Sequence, residues 1–264
     1  MALWAASEKF FAKHIGGRAQ EGGTPEVVTR LKEITVDPKT VVLSKAVDAA
    51  AVGVPKVAAS LSPGSASYQG KIEAGGQTTP MSIVQTIEDK GGSFVVSVTA
   101  KMPMGDAVDV ATFDKATLVT RKRSIKQGPA TIELAFEGGK ATGTVAMGGE
   151  PKPVSVDLGG DLFADGAGSH QVIGALPLAE GYSATFRNFD VRQQKVQLKQ
   201  AKVTGTESVT VPAGTFEAWK VVIASAEGEP GETTIWVAKD SRKVVKTMAT
   251  LPQMGGAVVT TELQ

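Results

Sequence analysis

His170 is the residue best placed to do chemistry in this chain, which has two histidines and no cysteine. It follows the glycine-rich stretch Asp161-Leu-Phe-Ala-Asp-Gly-Ala-Gly-Ser169, so Asp161, Asp165 and His170 are the candidates for a carboxylate–histidine pair or a small ligand set. Such a set would serve hydrolysis of an ester or phosphoester. The acidic spacing is not that of a calcium loop, which needs alternating Asp/Asn, a glycine and a glutamate at the twelfth position. Zinc asks for three or more His, Cys or carboxylate ligands, and one local histidine does not supply them. No metal or cofactor is therefore expected. The plainer reading of the stretch is a loop entering a short helix over His170 to Ala175, with Ser169 as its cap.

Other nucleophile patterns are absent from the sequence. There is no Gly-x-Ser-x-Gly elbow to expose a serine. The pairs Gly75-Gly76, Gly148-Gly149 and Gly159-Gly160 open no strand-to-helix phosphate loop, and Glu227 and Glu229 flank Gly228 and Pro230 in a surface turn. His14 falls beside Phe10 and Phe11 on a helical wheel, as a boundary residue does. The remaining functional device is a sheet face. Phe94, Val96, Val98, Met102, Met104, Val110, Phe113 and Leu118 are expected to line an apolar groove, or to fill a core in the same place. Aromatic content of 5% argues for an aliphatic lining and against stacking on nucleic-acid bases.

The elements that must carry these residues are strands. After about Val41 the apolar period is two, and 30 glycines with 13 prolines punctuate it. Strands are predicted over 67–73, 81–87, 93–102, 107–113, 116–125, 130–137, 141–147 and 153–158. A second series covers 182–189, 195–204, 207–211, 216–226, 232–238, 243–250 and 257–262. Short Gly-containing connections join neighbours in an antiparallel sheet. The basic run Arg121-Lys122-Arg123 with Lys126 reads as the solvated face of one strand. Trp219 and Trp236 read as core residues.

Residues 1–40 have a different period. Leu3, Trp4, Ala6, Phe10, Phe11 and Ile15 form one apolar helical stripe that stops at Gly16-Gly17, and Thr24 with Pro25 begins a second short helix. The run Met1-Ala-Leu-Trp-Ala-Ala-Ser-Glu-Lys-Phe-Phe-Ala-Lys-His-Ile-Gly-Gly-Arg18 resembles the C-terminal end of the prolyl oligopeptidase family of α/β-hydrolases. The resemblance implies a fragment whose serine, acid and histidine lie before Met1, with an upstream peptidase domain as partner.

A second resemblance lies in Glu207-Ser-Val-Thr-Val-Pro-Ala-Gly-Thr-Phe-Glu-Ala-Trp-Lys-Val-Val222, Thr233-Thr-Ile-Trp-Val-Ala-Lys-Asp-Ser-Arg-Lys-Val-Val-Lys246 and Leu176-Pro-Leu-Ala-Glu-Gly-Tyr182. These segments are similar to bacterial envelope β-domains with half-barrel or lipocalin-like sheets, associated with lipoprotein carriers. The resemblance implies a periplasmic or extracellular parent protein.

At 264 residues the chain can bury a substantial core. A formal net charge of +1 favours neither nucleic acid nor an anionic membrane, and no stretch approaches the ~20 apolar residues of a membrane helix. The expected organisation is a helical segment and linker over 1–40 and an antiparallel β domain over 41–264. The fold class is mainly β: a large curved antiparallel sheet, half-barrel or open barrel, with one or two N-terminal helices and a short helix near 169–175. The expected function is a noncatalytic accessory or hydrophobic-ligand-binding module, its partner an apolar small molecule or peptide. Self-association through Trp4, Phe10, Phe11 and Ile15 is a further expectation. The alternative is a stand-alone hydrolase of esters or phosphoesters.

Overall fold

A computed structural model describes residues 7, 11–16, 24–26, 28–29, 47–102 and 105–264. The chain divides into two compact units, Met1–Lys45 and Ala46–Gln264. In the first, residues 11–15 are helical, as are 25, 26, 28 and 29. The Val28 amide donates to the Thr24 carbonyl at 3.0 Å, which places Thr24 at the start of its helix. Phe11 and Ile15 are exposed, whereas Trp4 and Phe10 of the expected stripe lie outside the described residues. No helix among the described residues is long and apolar enough to cross a membrane.

The second unit is one antiparallel sheet of fourteen strands. The first eight are β1 (Gly64–Ala74), β2 (Gln77–Asp89), β3 (Ser93–Lys101), β4 (Ala107–Asp114), β5 (Thr120–Gln127), β6 (Ala130–Glu137), β7 (Lys140–Met147) and β8 (Lys152–Asp157). A crossover segment with the helix α1 (Ser169–Gly174) leads to the second series. That series is β9 (Ser183–Asp190), β10 (Lys195–Val211), β11 (Gly214–Ser225), β12 (Glu232–Ala238), β13 (Val244–Leu251) and β14 (Ala257–Leu263). Two meanders meet where β14 pairs with β1, so β8 and β9 are the free edges. The sheet curves without closing.

Turn chemistry sets this register. Gly75 and Gly76 both have positive φ, 56° and 77°, as the two-residue loop between twisted strands requires. Alternation then fixes the faces. Following paired residues across the sheet puts Val203, Val221, Ile235, Ile87, Val96, Ala111 and Arg123 on one inner face. The apolar members of that row join Phe94, Phe113, Ile173, Leu176 and Phe186 in the main core. Toward the β8 edge the inner face carries Ile132, Leu134, Phe136 and Val154, which pack on Phe189, Val191 and Val196. Phe189 and Val196 pair with each other and lie on the side of β9–β10 opposite Phe186 and Ala201. The β8 end of the sheet therefore laps over the outside of the β9 edge, and the Phe136 and Phe189 rings meet edge-on at 6.3 Å between centroids.

Four departures from the sequence reading have local causes. The strand expected from residue 116 starts at Thr120, because the Asp114 carboxylate accepts the Ala116 and Thr117 amides and holds a turn. Leu118 sits in that turn at φ 55°. The two strands expected over 195–211 are one strand, bent by a bulge between Val203 and Gly205. Beyond the bend, Val209 and Val211 join Trp236, Val245 and Leu263 in a separate cluster, with the Trp236 indole N–H donating to Glu207. The helix cap is Gly168 and makes no side-chain hydrogen bond, so Ser169 is the first helical residue and not the cap. The basic run also divides: Lys122 and Lys126 are exposed, whereas Arg123 points inward to an ion pair.

Candidate functional site

The site is organised by the crossover between β8 and β9. Residues 162–165 run between the start of β5 and the middle of β9: the Thr120 amide donates to the Leu162 carbonyl at 3.0 Å, and the Phe163 amide to the Arg187 carbonyl at 3.0 Å. The Asn188 side-chain amide donates to the Ala164 carbonyl at 3.0 Å. Asp165 completes the seam. Its carboxylate accepts from Arg123 Nη1 at 2.9 Å and from the Phe189 amide at 2.6 Å. Arg123 also forks onto Asp109, with Nη2 to Oδ2 at 2.9 Å and Nε to Oδ1 at 3.3 Å.

Burial decides the electrostatics of this triad. Asp165 is wholly inaccessible, and that desolvation pushes its carboxyl above the ordinary range, against the pull of the Arg123 charge and the Phe189 amide. Burial also works against the guanidinium charge, yet Asp165 and Asp109 outweigh it and hold Arg123 above its usual pKa. The group is a structural clamp. Each oxygen of the Asp165 carboxylate accepts from a donor of the fold, Oδ1 from Arg123 and Oδ2 from the Phe189 amide.

Just past the clamp the chain turns through Gly168 at φ 80°, where a Cβ atom would lie 2.7 Å from Val96 Cγ1. Only glycine lets the helix start so close to β3. α1 then lies inside the curl of the sheet, with Val172 and Ile173 buried in the main core. Beside it opens a cavity of about 360 Å³. Ser169, His170 and Ile173 line its helix side, and Phe186, Asn188, Lys199, Ile223 and Thr233 line its sheet side, with Leu251 and Pro252 at one end.

His170 is half-buried and lines the cavity, and burial lowers its pKa to about 4, so the ring is neutral at neutral pH. The side chains of Ser169, His170 and Lys199 make no hydrogen bond or ion pair among the described residues. Lys199 pairs with Phe186 and Ser225, which puts it on the inner face with Ala201 and Val203. Glu232 also touches the cavity, but it pairs with Ala224 and so belongs to the outward phase of β12.

The three residues proposed for chemistry do not converge. Asp161 is exposed and 3.5 Å from Arg121, Asp165 is bound in the clamp, and His170 faces the cavity. No group of three His, Asp or Glu among the described residues is placed to hold a metal ion. The expected groove lining is placed elsewhere too. Phe94, Val96, Phe113 and Leu118 are buried in the main core, and Val98 packs against it. Val110 pairs with Ser97 and Ser124, so it lies on the outer face. Met102 is half-buried just past β3, and Met104 lies outside the described residues. None of the described members lines the cavity. Lys199 and Asn188 are not singled out by the sequence pattern, and Arg123 reads there as solvated; the available signal was a lysine in the inward phase of β10, in step with Ala201 and Val203.

A second cavity of about 250 Å³ lies on the other side of α1, between Ser60–Ala66, Tyr68, Gln85, Gln171 and Arg242–Val244. Two of its polar side chains, Tyr68 and Arg242, are engaged by the fold. The Tyr68 hydroxyl donates to the Val244 carbonyl at 3.0 Å, and Arg242 Nη1 donates to the Gly174 and Leu176 carbonyls at 3.1 and 2.7 Å.

No curated protein matches the chain in sequence. Among solved structures, the hypothetical lipoprotein YmcC from Escherichia coli (K12) is 9% identical at a TM-score of 0.34, covering 75% of this chain and 86% of its own. A protein from Bacteroides fragilis NCTC 9343, described as exported and of YmcC-like fold, is 12% identical at 0.29, covering 79% and 97%. A DUF1329 family protein from Desulfovibrio piger ATCC 29098 is 11% identical at 0.27, covering 76% and 82%. In sequence, the family of proteins of unknown function designated DUF3108 matches residues 65–263. This overturns the prolyl oligopeptidase relationship and the peptidase parentage expected from it. The helix motif behind that expectation lies outside the matched residues, and an apolar stripe stopped by glycine is common to amphipathic helices at large. The match spans β1 to β14, the cavity and the clamp, and the chain belongs to the DUF3108 family.

Proposed function

We propose that the β domain is a noncatalytic binding module and that its ligand occupies the cavity between α1 and the inner face of β9–β13. One observation carries this reading: Ser169, His170 and Lys199 face a cavity of about 360 Å³ with no partner among the described residues, beside the apolar side chains of Ile173, Phe186 and Ile223. Ligand sites combine an apolar wall with a few converging polar groups, and this volume falls near the lower end of their range of roughly 300–1,000 Å³. It corresponds to about a dozen water volumes, taking each as ~30 Å³.

A hydrolytic reading finds less support. A general base needs an acceptor that orients it, and His170 has no carboxylate partner while Asp165 is held by Arg123 and the Phe189 amide. The test is native mass spectrometry of gently purified protein, with titration of an apolar fluorescent probe alongside. The expected result is a copurified small molecule or saturable binding of one probe per chain. Absence of both overturns the reading.

A further inference from the structure

We infer that the cavity takes a small amphiphile with a single anionic head, which Lys199 receives while the tail lies along Ile173, Phe186 and Ile223. The inference deepens the binding reading above and rests on it. Three ionisable side chains other than histidine line the cavity, and strand register separates them. Arg123 lines the cavity, but its charge is matched by Asp109 at 2.9 Å and Asp165 at 2.9 Å. Glu232 touches the rim from the outward phase of its strand. Lys199 alone of the three is both aimed inward by its pairing with Phe186 and Ser225 and free of any ion pair among the described residues.

Lys199 is half-buried and in step with Ala201 and Val203, and its ammonium, with no anion paired to it among the described residues, keeps a preference for one. Around it stand groups that can donate to such a head: the Ser169 hydroxyl, and the neutral His170 ring through one nitrogen. The apolar side chains lie close by, so head and tail contacts are offered together.

Three probes of one chain length separate head from tail: octanoate, 1-octanol and octyltrimethylammonium, each measured by calorimetry on the full chain. Octanoate has ten non-hydrogen atoms, a fit for a space of about a dozen waters. Octanoate is expected to bind about tenfold more tightly than octanol, the usual scale for one charge-assisted hydrogen bond, and the ammonium probe most weakly. Lys199→Met should bring octanoate down to the octanol level with octanol unchanged, and Lys199→Arg should keep the preference.

Equal binding of octanoate and octanol by the wild type, or a preference that survives Lys199→Met, overturns the anionic head and leaves the cavity reading standing. Failure of all three probes to bind, or binding that persists when Thr233→Trp fills the cavity, overturns the cavity reading itself.

Discussion

Arg123 Nη1 lies 2.9 Å from the Asp165 carboxylate, and through it strand β5 is tied to the crossover that supplies α1. The same carboxylate accepts the Phe189 amide of β9. Strands β5 and β9, far apart in the sheet order, thus meet the crossover on one buried anion, and Arg123 lines the cavity beside it. Arg123→Met strands a wholly buried carboxylate, so it should cost about 3–5 kcal/mol of stability, the usual scale for breaking a buried pair from one side. Asp165→Asn should cost less, because Arg123 keeps Asp109. Urea unfolding of both variants checks the order, and a milder loss for Arg123→Met than for Asp165→Asn contradicts the clamp.

The position of α1 rests on Gly168. Alanine there meets both a left-handed backbone and Val96 Cγ1 at 2.7 Å, so Gly168→Ala should destabilise by roughly 1–3 kcal/mol. Part of that loss is steric and belongs to the pair. Adding Val96→Ala should therefore cost less in the Gly168→Ala background than in the wild type, a coupling that a double-mutant cycle reads directly. Strict additivity would mean that the helix does not start against β3.

Acid sensitivity should carry the mark of His170. Its folded-state pKa is about 4 against an ordinary 6.5, so between these values the unfolded chain binds a proton that the folded chain does not. Stability then rises with pH across this window and is lost as pH falls from about 6.5 toward 4, on the order of 3 kcal/mol at most. His170→Gln removes the group, and its stability profile should be flatter than the wild type's over that window. Parallel profiles would show that the ring is as well solvated in the folded state as in the unfolded.

Much of the fold was legible in the sequence, because alternation and turn residues act locally. The strands over 130–137 and 232–238 have the expected bounds. β10 read as two strands since Gly205 interrupts its period, and only the pairing with β11 shows a bulge within one strand. The site was far less legible. Arg123 sits in a basic run that looks solvated, and its partner lies 42 residues later. Phe94, Val96 and Phe113 were expected at a groove wall or in a core, and what puts them in the core is α1, which fills the curl above them. A strand pattern gives the face of a residue but not what covers that face.

Hydrolysis makes an opposite demand on the same residue. His170→Ala is expected to leave turnover of activated esters and phosphotriesters where it stands in the wild type, at the level of the uncatalysed reaction. Turnover above that level in the wild type, lost in the variant, would make the ring a catalytic group.

A ligand held in the cavity beside α1 should be lost when that space is filled. Thr233 faces it from β12, in register with Ile223 of β11, so Thr233→Trp should fill the space and leave the main core in place. The decisive measurement is the affinity of an apolar fluorescent probe for wild type and Thr233→Trp, with both shown to melt within a few degrees of each other. Saturable binding of one probe per chain by the wild type, weakened at least about tenfold in the variant, is the predicted result. Equal binding by the two proteins, or none by either, contradicts it.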